Sequence, residues 1–85
     1  MNQPQKRFVY VLRSLKDPTR QYVGRTYDVA SRLASHNAGA SPKTTKHRPW
    51  QVVVLVQFLL EERAEEFQKF LKSASGRAFT KQYFA

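Results

Sequence analysis

The first twenty-five residues constrain this chain most. Phe8-Val9-Tyr10-Val11-Leu12 is a run of aromatic, β-branched and aliphatic residues, and Gln21-Tyr22-Val23-Gly24 is a second, shorter one. Between them Lys16-Asp17-Pro18-Thr19 is a turn signal, because proline presets φ and aspartate bonds its own backbone. Two such runs joined by a short connection predict an antiparallel hairpin. A hairpin alone is marginal in water, so the remaining residues have to cover its faces. The chain has 85 residues, of which 41% are hydrophobic and eleven are aromatic. That suits one compact domain with a modest core, spanning residues 1–85 with 1–6 flexible.

The next elements follow from spacing. Asp28 is placed to cap a helix that runs to about Asn37 and stops before Gly39. Val29 and Leu33 lie four apart and face the core. Arg32 and His36 share the same spacing, so they project together along one edge of that stripe. Ala38 to Trp50 reads as a basic loop. Val52-Val53-Val54-Leu55-Val56 is apolar on both faces, as a central buried strand is. A second helix starts near Glu61 with Ala64, Phe67 and Leu71 as its buried stripe. Glu61, Glu65, Gln68 and Lys72 line its flanking face. Ser73 to Gly76 interrupts the pattern, and Arg77 to Phe84 forms a last short helix. The order β-β-α-β-α-α predicts an α/β sandwich: a three-stranded mixed β-sheet flanked by helices.

Charge narrows the partners. Fifteen basic and six acidic residues leave a net charge of +9. The acids are gathered in Glu61-Glu62-Arg63-Ala64-Glu65-Glu66, so the rest of the chain is an almost unopposed positive field that attracts polyanions. Nucleic acid is the leading class, although small ribosomal proteins and membrane-surface modules share this balance. No run of about 18 apolar residues is present to span a membrane. Met1 to Arg7 lacks the apolar stretch of a secretory signal, and with no cysteine there is no disulfide framework or thiolate metal site. A cytoplasmic protein is the simplest reading.

Val9-Tyr10-Val11, about ten residues, then Tyr22-Val23-Gly24 resembles the paired signature of the GIY-YIG endonucleases. Gly24-Arg25-Thr26, Asp28, Arg32-Leu33 and His36-Asn37-Ala38-Gly39 continue the likeness through that family's second strand and first helix. Thr44-Thr45 and Pro49-Trp50 resemble its following loop. Lys69-Phe70-Leu71-Lys72-Ser73-Ala74-Ser75-Gly76-Arg77-Ala78-Phe79 is similar to the C-terminal segment of small stand-alone bacterial members. The likeness covers residues 7 to 84.

The resemblance implies hydrolysis of a nucleic-acid phosphodiester with one divalent metal ion, Mg2+ or Mn2+. It gives Tyr10 and Tyr22 the task of orienting or deprotonating the attacking water, with the division between them open. Arg32 presents a planar fork for phosphate oxygens. His36 either shares a proton with a tyrosine or binds a phosphate oxygen. The family's metal-binding glutamate falls at Gln68, a neutral amide that is a poor ligand for a hard dication. Metal affinity and turnover are expected to fall, with folding and DNA affinity kept. Three explanations stay open: an introduced Glu-to-Gln change that traps an inactive protein on DNA, a natural non-catalytic binder, or another acid such as Glu65 supplying the ligand.

For DNA contact the residues are Arg25, Lys43, Lys46, Arg48, Lys69, Lys72 and Arg77, with Asn37 and Thr45 as polar contacts. Trp50 reads as core. Single-stranded DNA is among the substrates expected. A separate DNA-binding domain has no room in this length, so specificity has to come from the loops, an oligomer or a partner. The alternative from another class is a non-catalytic nucleic-acid-binding module on the same fold.

Overall fold

The computed structural model describes residues 4–84. Strand β1 (Phe8–Ser14) and strand β2 (Gln21–Thr26) form the expected antiparallel hairpin, with Tyr10 opposite Gly24 and Leu12 opposite Tyr22. The turn is held by Asp17, whose carboxylate accepts the Thr19 amide at 3.1 Å while its carbonyl accepts the Arg20 amide at 2.9 Å. Helix α1 (Val29–Asn37) is capped as predicted, the Asp28 carboxylate accepting the Ser31 amide at 3.1 Å. A single 3-10 turn (Thr45–His47) precedes strand β3 (Trp50–Gln57), and helices α2 (Glu61–Lys72) and α3 (Ala74–Phe84) follow. Part of the flexible stretch expected over 1–6 lies outside the described residues. The Lys6 amide donates to the Glu61 carboxylate at 3.0 Å.

The sheet order is β2-β1-β3, and both pairings are antiparallel. This corrects the expected mixed sheet. The β2-α1-β3 crossover does make β2 and β3 run in the same direction, but β1 lies between them and no parallel pair forms. It also corrects the place of Val52–Val56. The central strand is β1, with Val9, Tyr10, Val11 and Leu12 each no more than 1% exposed, while β3 is an edge with Leu55 exposed. The apolar run of β3 has a local cause. A bulge opposite Val11 and Leu12 breaks the two-residue alternation at Val53, so Val53, Val54 and Val56 all pack toward the same cluster.

The two faces of β1 divide the molecule by simple alternation. Val9 and Val11 meet Val54, Ala64 and Leu71 beneath α2 and α3, each full aliphatic burial contributing about 1.5–3 kcal/mol. Tyr10 and Leu12 meet Trp50, with Tyr22, Leu33 and Val52 packed around them, on the face under α1. One face is hydrocarbon and the other carries the polar chemistry.

The break between α2 and α3 is one residue long, where four were expected. Ser73 is extended (φ −77°, ψ 167°), and its hydroxyl accepts the Gly76 amide at 3.2 Å. It therefore ends α2 and caps α3 at once, and Gly76 lies inside α3. A Cβ on Gly76 would come 1.8 Å from the Phe70 carbonyl oxygen, so only glycine lets α3 fold back this closely. No helix among the described residues is long and apolar enough to cross a membrane.

Candidate active site

Tyr10 projects from the α1 face of β1 at a point where its neighbour on β2 has no side chain. A Cβ on Gly24 would sit 2.3 Å from the Tyr10 hydroxyl, so the glycine is what admits the phenol. Tyr22 stands two residues earlier on β2, its ring centroid 6.3 Å from that of Tyr10 and 4.8 Å from the imidazole of His36. Tyr10, Tyr22 and Arg32 line one open cleft of about 520 Å³ together with Arg25 and Gln68. The two tyrosines, Arg32 and position 68 thus face one cleft.

His36 is placed differently. It is the deepest residue of α1, with 0% exposure, and it lies behind the tyrosines outside the lining of the cleft. Of its two expected roles, contact with a phosphate oxygen does not fit this burial. The other does: its Nε2 is 3.1 Å from the Tyr10 hydroxyl. Its Nδ1 is 2.7 Å from the hydroxyl of Thr44, which is also fully buried. Thr44 has an acceptor of its own in the Ser41 carbonyl at 3.3 Å. Burial, reinforced by the positive charge of Arg32, holds the pKa of His36 below the usual histidine value, so the ring carries a single proton at neutral pH. The network assigns that proton to Nδ1, donated to Thr44, and leaves Nε2 as acceptor for Tyr10.

Electrostatics around the phenols run in opposing directions. Burial pushes the pKa of Tyr10 up, its bond to Arg32 pulls it down, and Tyr22 adds to the rise. Burial works against the charge of Arg32, but Tyr10 and then Tyr22 hold its pKa above the ordinary value. Tyr10 is therefore a neutral phenol that can pass its proton to His36 while its oxygen accepts another from a bound water. The Arg32 guanidinium lies beside both phenols in the lining of the cleft, as a cation able to meet an anion bound there.

From sequence, Thr44 stood only in the loop resemblance and was given no role there. Its tie to position 36 crosses a loop, and no spacing rule announces it. Its backbone carbonyl also accepts the Trp50 indole N–H at 2.8 Å, which anchors the loop over the imidazole. Trp50 is 4% exposed, in the core as expected. Asn37 bonds Trp50 twice, donating to its carbonyl at 3.1 Å and accepting its amide at 2.6 Å, so the carboxamide holds α1 to the start of β3. Thr45 donates to the Ser41 carbonyl at 2.7 Å. Asn37 is engaged in joining α1 to β3, and Thr45 in folding the loop between them.

The basic residues separate into groups. Arg25 donates from Nε to the Gln68 amide oxygen at 3.1 Å, and its Nη1 lies 3.6 Å from Glu61 and 3.9 Å from Glu65. Lys69 pairs with Glu65 at 3.3 Å on the helix surface. Arg48 lies against Gly39, whose φ of +84° makes the turn after α1. Lys46 is exposed on the 3-10 turn. Lys43, Lys72 and Arg77 stand on the other side of Tyr22.

The residues at position 68 do not fit a divalent metal. The Gln68 oxygen already accepts from a guanidinium, the nearby carboxylates face the same cation, and no group of three metal-ligating His, Cys, Asp or Glu stands together among the described residues. A neutral amide beside a fixed positive charge is the reverse of what a hard dication selects.

A three-stranded sheet whose hairpin brings two tyrosines beside a helix-borne arginine and histidine defines a GIY-YIG catalytic domain, and the profile of that family matches residues 6–83. The chain belongs to this family. It is 40% identical over 73 residues, 78% of its own length, to structure-specific endonuclease subunit SLX1 of Candida dubliniensis, covering 26% of that protein. Its likeness to structure-specific endonuclease subunit slx1 of Aspergillus niger is 47% over 53 residues, 56% of this chain and 12% of the relative. The chain thus spans about a quarter or less of these fungal relatives. No solved structure gives a significant match.

Proposed function

We propose that this chain is the nuclease domain of a DNA endonuclease, one that hydrolyses a phosphodiester held at Tyr10, Tyr22 and Arg32. The observation that carries this reading is the buried chain Tyr10–His36–Thr44, which ends at the floor of an open, arginine-lined cleft. Tyr10 takes the proton of the attacking water and relays it to Nε2 of His36. Tyr22 orients that water, and Arg32 meets the charge that builds on the phosphorane. The printed function of the fungal relatives supports nuclease chemistry. The resemblance of Lys69 to Phe79 to small stand-alone bacterial members belongs to the same reading, as does a unit of one domain.

Gln68 sets the level of activity. Members of the family generally depend on a divalent metal, and this chain has an amide where the resemblance expects the ligand. Turnover is therefore low as the chain stands. This same observation favours a second reading, a nucleic-acid-binding module that has kept the nuclease fold. A cleavage assay on labelled single- and double-stranded DNA, with magnesium or manganese, separates the two when this chain is compared with its Gln68→Glu variant. Cutting by the variant with the carboxylate supports the nuclease. Binding with no cutting by either form leaves the binding module.

A further inference from the structure

A second cleft, of about 850 Å³, lies beyond Tyr22. It follows the outer edge of β2, which among the described residues pairs only with β1. Side chains alternate along a strand, so Tyr22 reaches this cleft from the face of the catalytic residues and Val23 from the opposite one. Val23 and Leu71 supply an apolar floor. Lys43, Lys72, Arg77 and Lys81 surround it, arriving from the α1–β3 loop, the end of α2 and one side of α3, and all four are exposed. Among the described residues none of these four has an ion-pair partner, and no acid lines the cleft.

Arg20 lines the cleft as a fifth cation and is held 3.6 Å from Asp17; the other four like charges repel each other around one concavity, and an anion relieves them. The size of the cleft, within the roughly 300–1,000 Å³ of a small-ligand site, is enough for a few nucleotides. An apolar floor with a cationic rim is the arrangement a single strand requires, with bases against hydrocarbon and phosphates on the cations. The two clefts share Tyr22, so a strand leaving the first enters the second without crossing bare surface.

We propose that this second cleft is a strand guide, which holds the single-stranded nucleotides next to the phosphodiester at Tyr10 and Tyr22. Arg77 and Lys81, four apart on α3, take successive phosphates, and Lys43 and Lys72 close the rim from either side. The proposal rests on the reading that the Tyr10 cleft acts on nucleic acid. An acidic extended peptide added to the β2 edge is the competing occupant.

The test is fluorescence anisotropy of a short labelled single strand against this chain across a salt series, with Arg77→Glu, Lys81→Glu and Lys72→Glu as separate variants. Arg63→Glu, on the part of α2 where Arg63 pairs with Glu66 at 3.0 Å, makes the same charge change outside the cleft. Each cleft variant is expected to bind about tenfold more weakly, with a salt slope shallower by about 0.7 for each phosphate that is no longer neutralised. Arg63→Glu is expected to keep the parent slope. An equal loss in Arg63→Glu would reduce the effect to overall charge and overturn the guide. Unchanged binding in the cleft variants does the same, and so does loss of a labelled glutamate-rich peptide with DNA binding intact. Circular dichroism melts check that each variant is folded. Because binding is read without cleavage, a chain that never cuts DNA still tests the guide. Cutting by Gln68→Glu with unaltered binding in the cleft variants removes the guide alone.

Discussion

Gly24 lies directly across the β1–β2 pairing from Tyr10, and the space its missing Cβ leaves is filled by the phenol. The contact involves the ring and the hydroxyl, at 2.3 Å from the position an added Cβ would take. Gly24→Ala therefore has to push Tyr10 away from His36. Overpacking of this kind costs about 1–3 kcal/mol. Urea denaturation is expected to show that loss, and cleavage by the Gln68→Glu background should drop with it. A Gly24→Ala protein that retained full cleavage would show that the position of Tyr10 is unimportant.

Thr44 separates packing from proton placement. Thr44→Val keeps the shape but leaves Nδ1 of His36 without its acceptor, a buried unsatisfied group costing about 1–3 kcal/mol. Nitrogen NMR of the imidazole is expected to report the Nδ1–H tautomer in the parent and a mixture in Thr44→Val. Thr44→Ser should restore the parent pattern. If the parent shows Nε2–H instead, the relay from Tyr10 to His36 runs the wrong way and fails.

Stability should fall on the acid side because of His36. Its folded pKa is lowered by burial and by Arg32, so the unfolded chain binds the proton more readily than the folded one. The contribution is complete above the unfolded value of about 6.5 and is lost as pH falls through the lower folded value. Urea midpoints measured from about pH 7.5 down to 5 are expected to decline. His36→Gln should flatten this decline. Tyr10 has the opposite sign: its raised pKa makes stability fall as pH climbs above about 10.

Gly76→Ala tests the fold without touching the cleft at Tyr10. The added methyl meets backbone of α2, the Phe70 carbonyl and the Leu71 Cα, and neither can rotate aside. A loss at the upper end of the roughly 1–3 kcal/mol range for overpacking is expected in thermal or urea unfolding. The spectroscopic signature of His36 should be unchanged in whatever fraction remains folded.

The legible part of this protein is local. The hairpin could be read from its two apolar runs and the Asp17–Pro18 turn, α1 from the Asp28 cap, and α2 from the spacing of Ala64, Phe67 and Leu71. Each of these signals acts over a few residues, through dihedral preference, a cap bond or a repeating face. The motif residues Tyr10, Tyr22 and Arg32 were found the same way, since the resemblance is a string of short local patterns. The run Val52–Val56 misled because periodicity shows which side chains are apolar but not where the strand lies in the sheet.

What only the tertiary structure decided depends on residues far apart in the chain. Strand order was set when α1 carried the chain over β1, which placed β3 at the free edge beside it. The depth of His36 was set by the loop bearing Thr44, because a helix surface is buried only when another segment covers it. Gln68 met Arg25 across forty-three positions, which turned an expected ligand into the partner of a cation. The sequence by itself determined the elements and the reactive side chains. Packing decided their depth, protonation and partners, because desolvation and hydrogen bonding depend on what lies within a few ångströms in space.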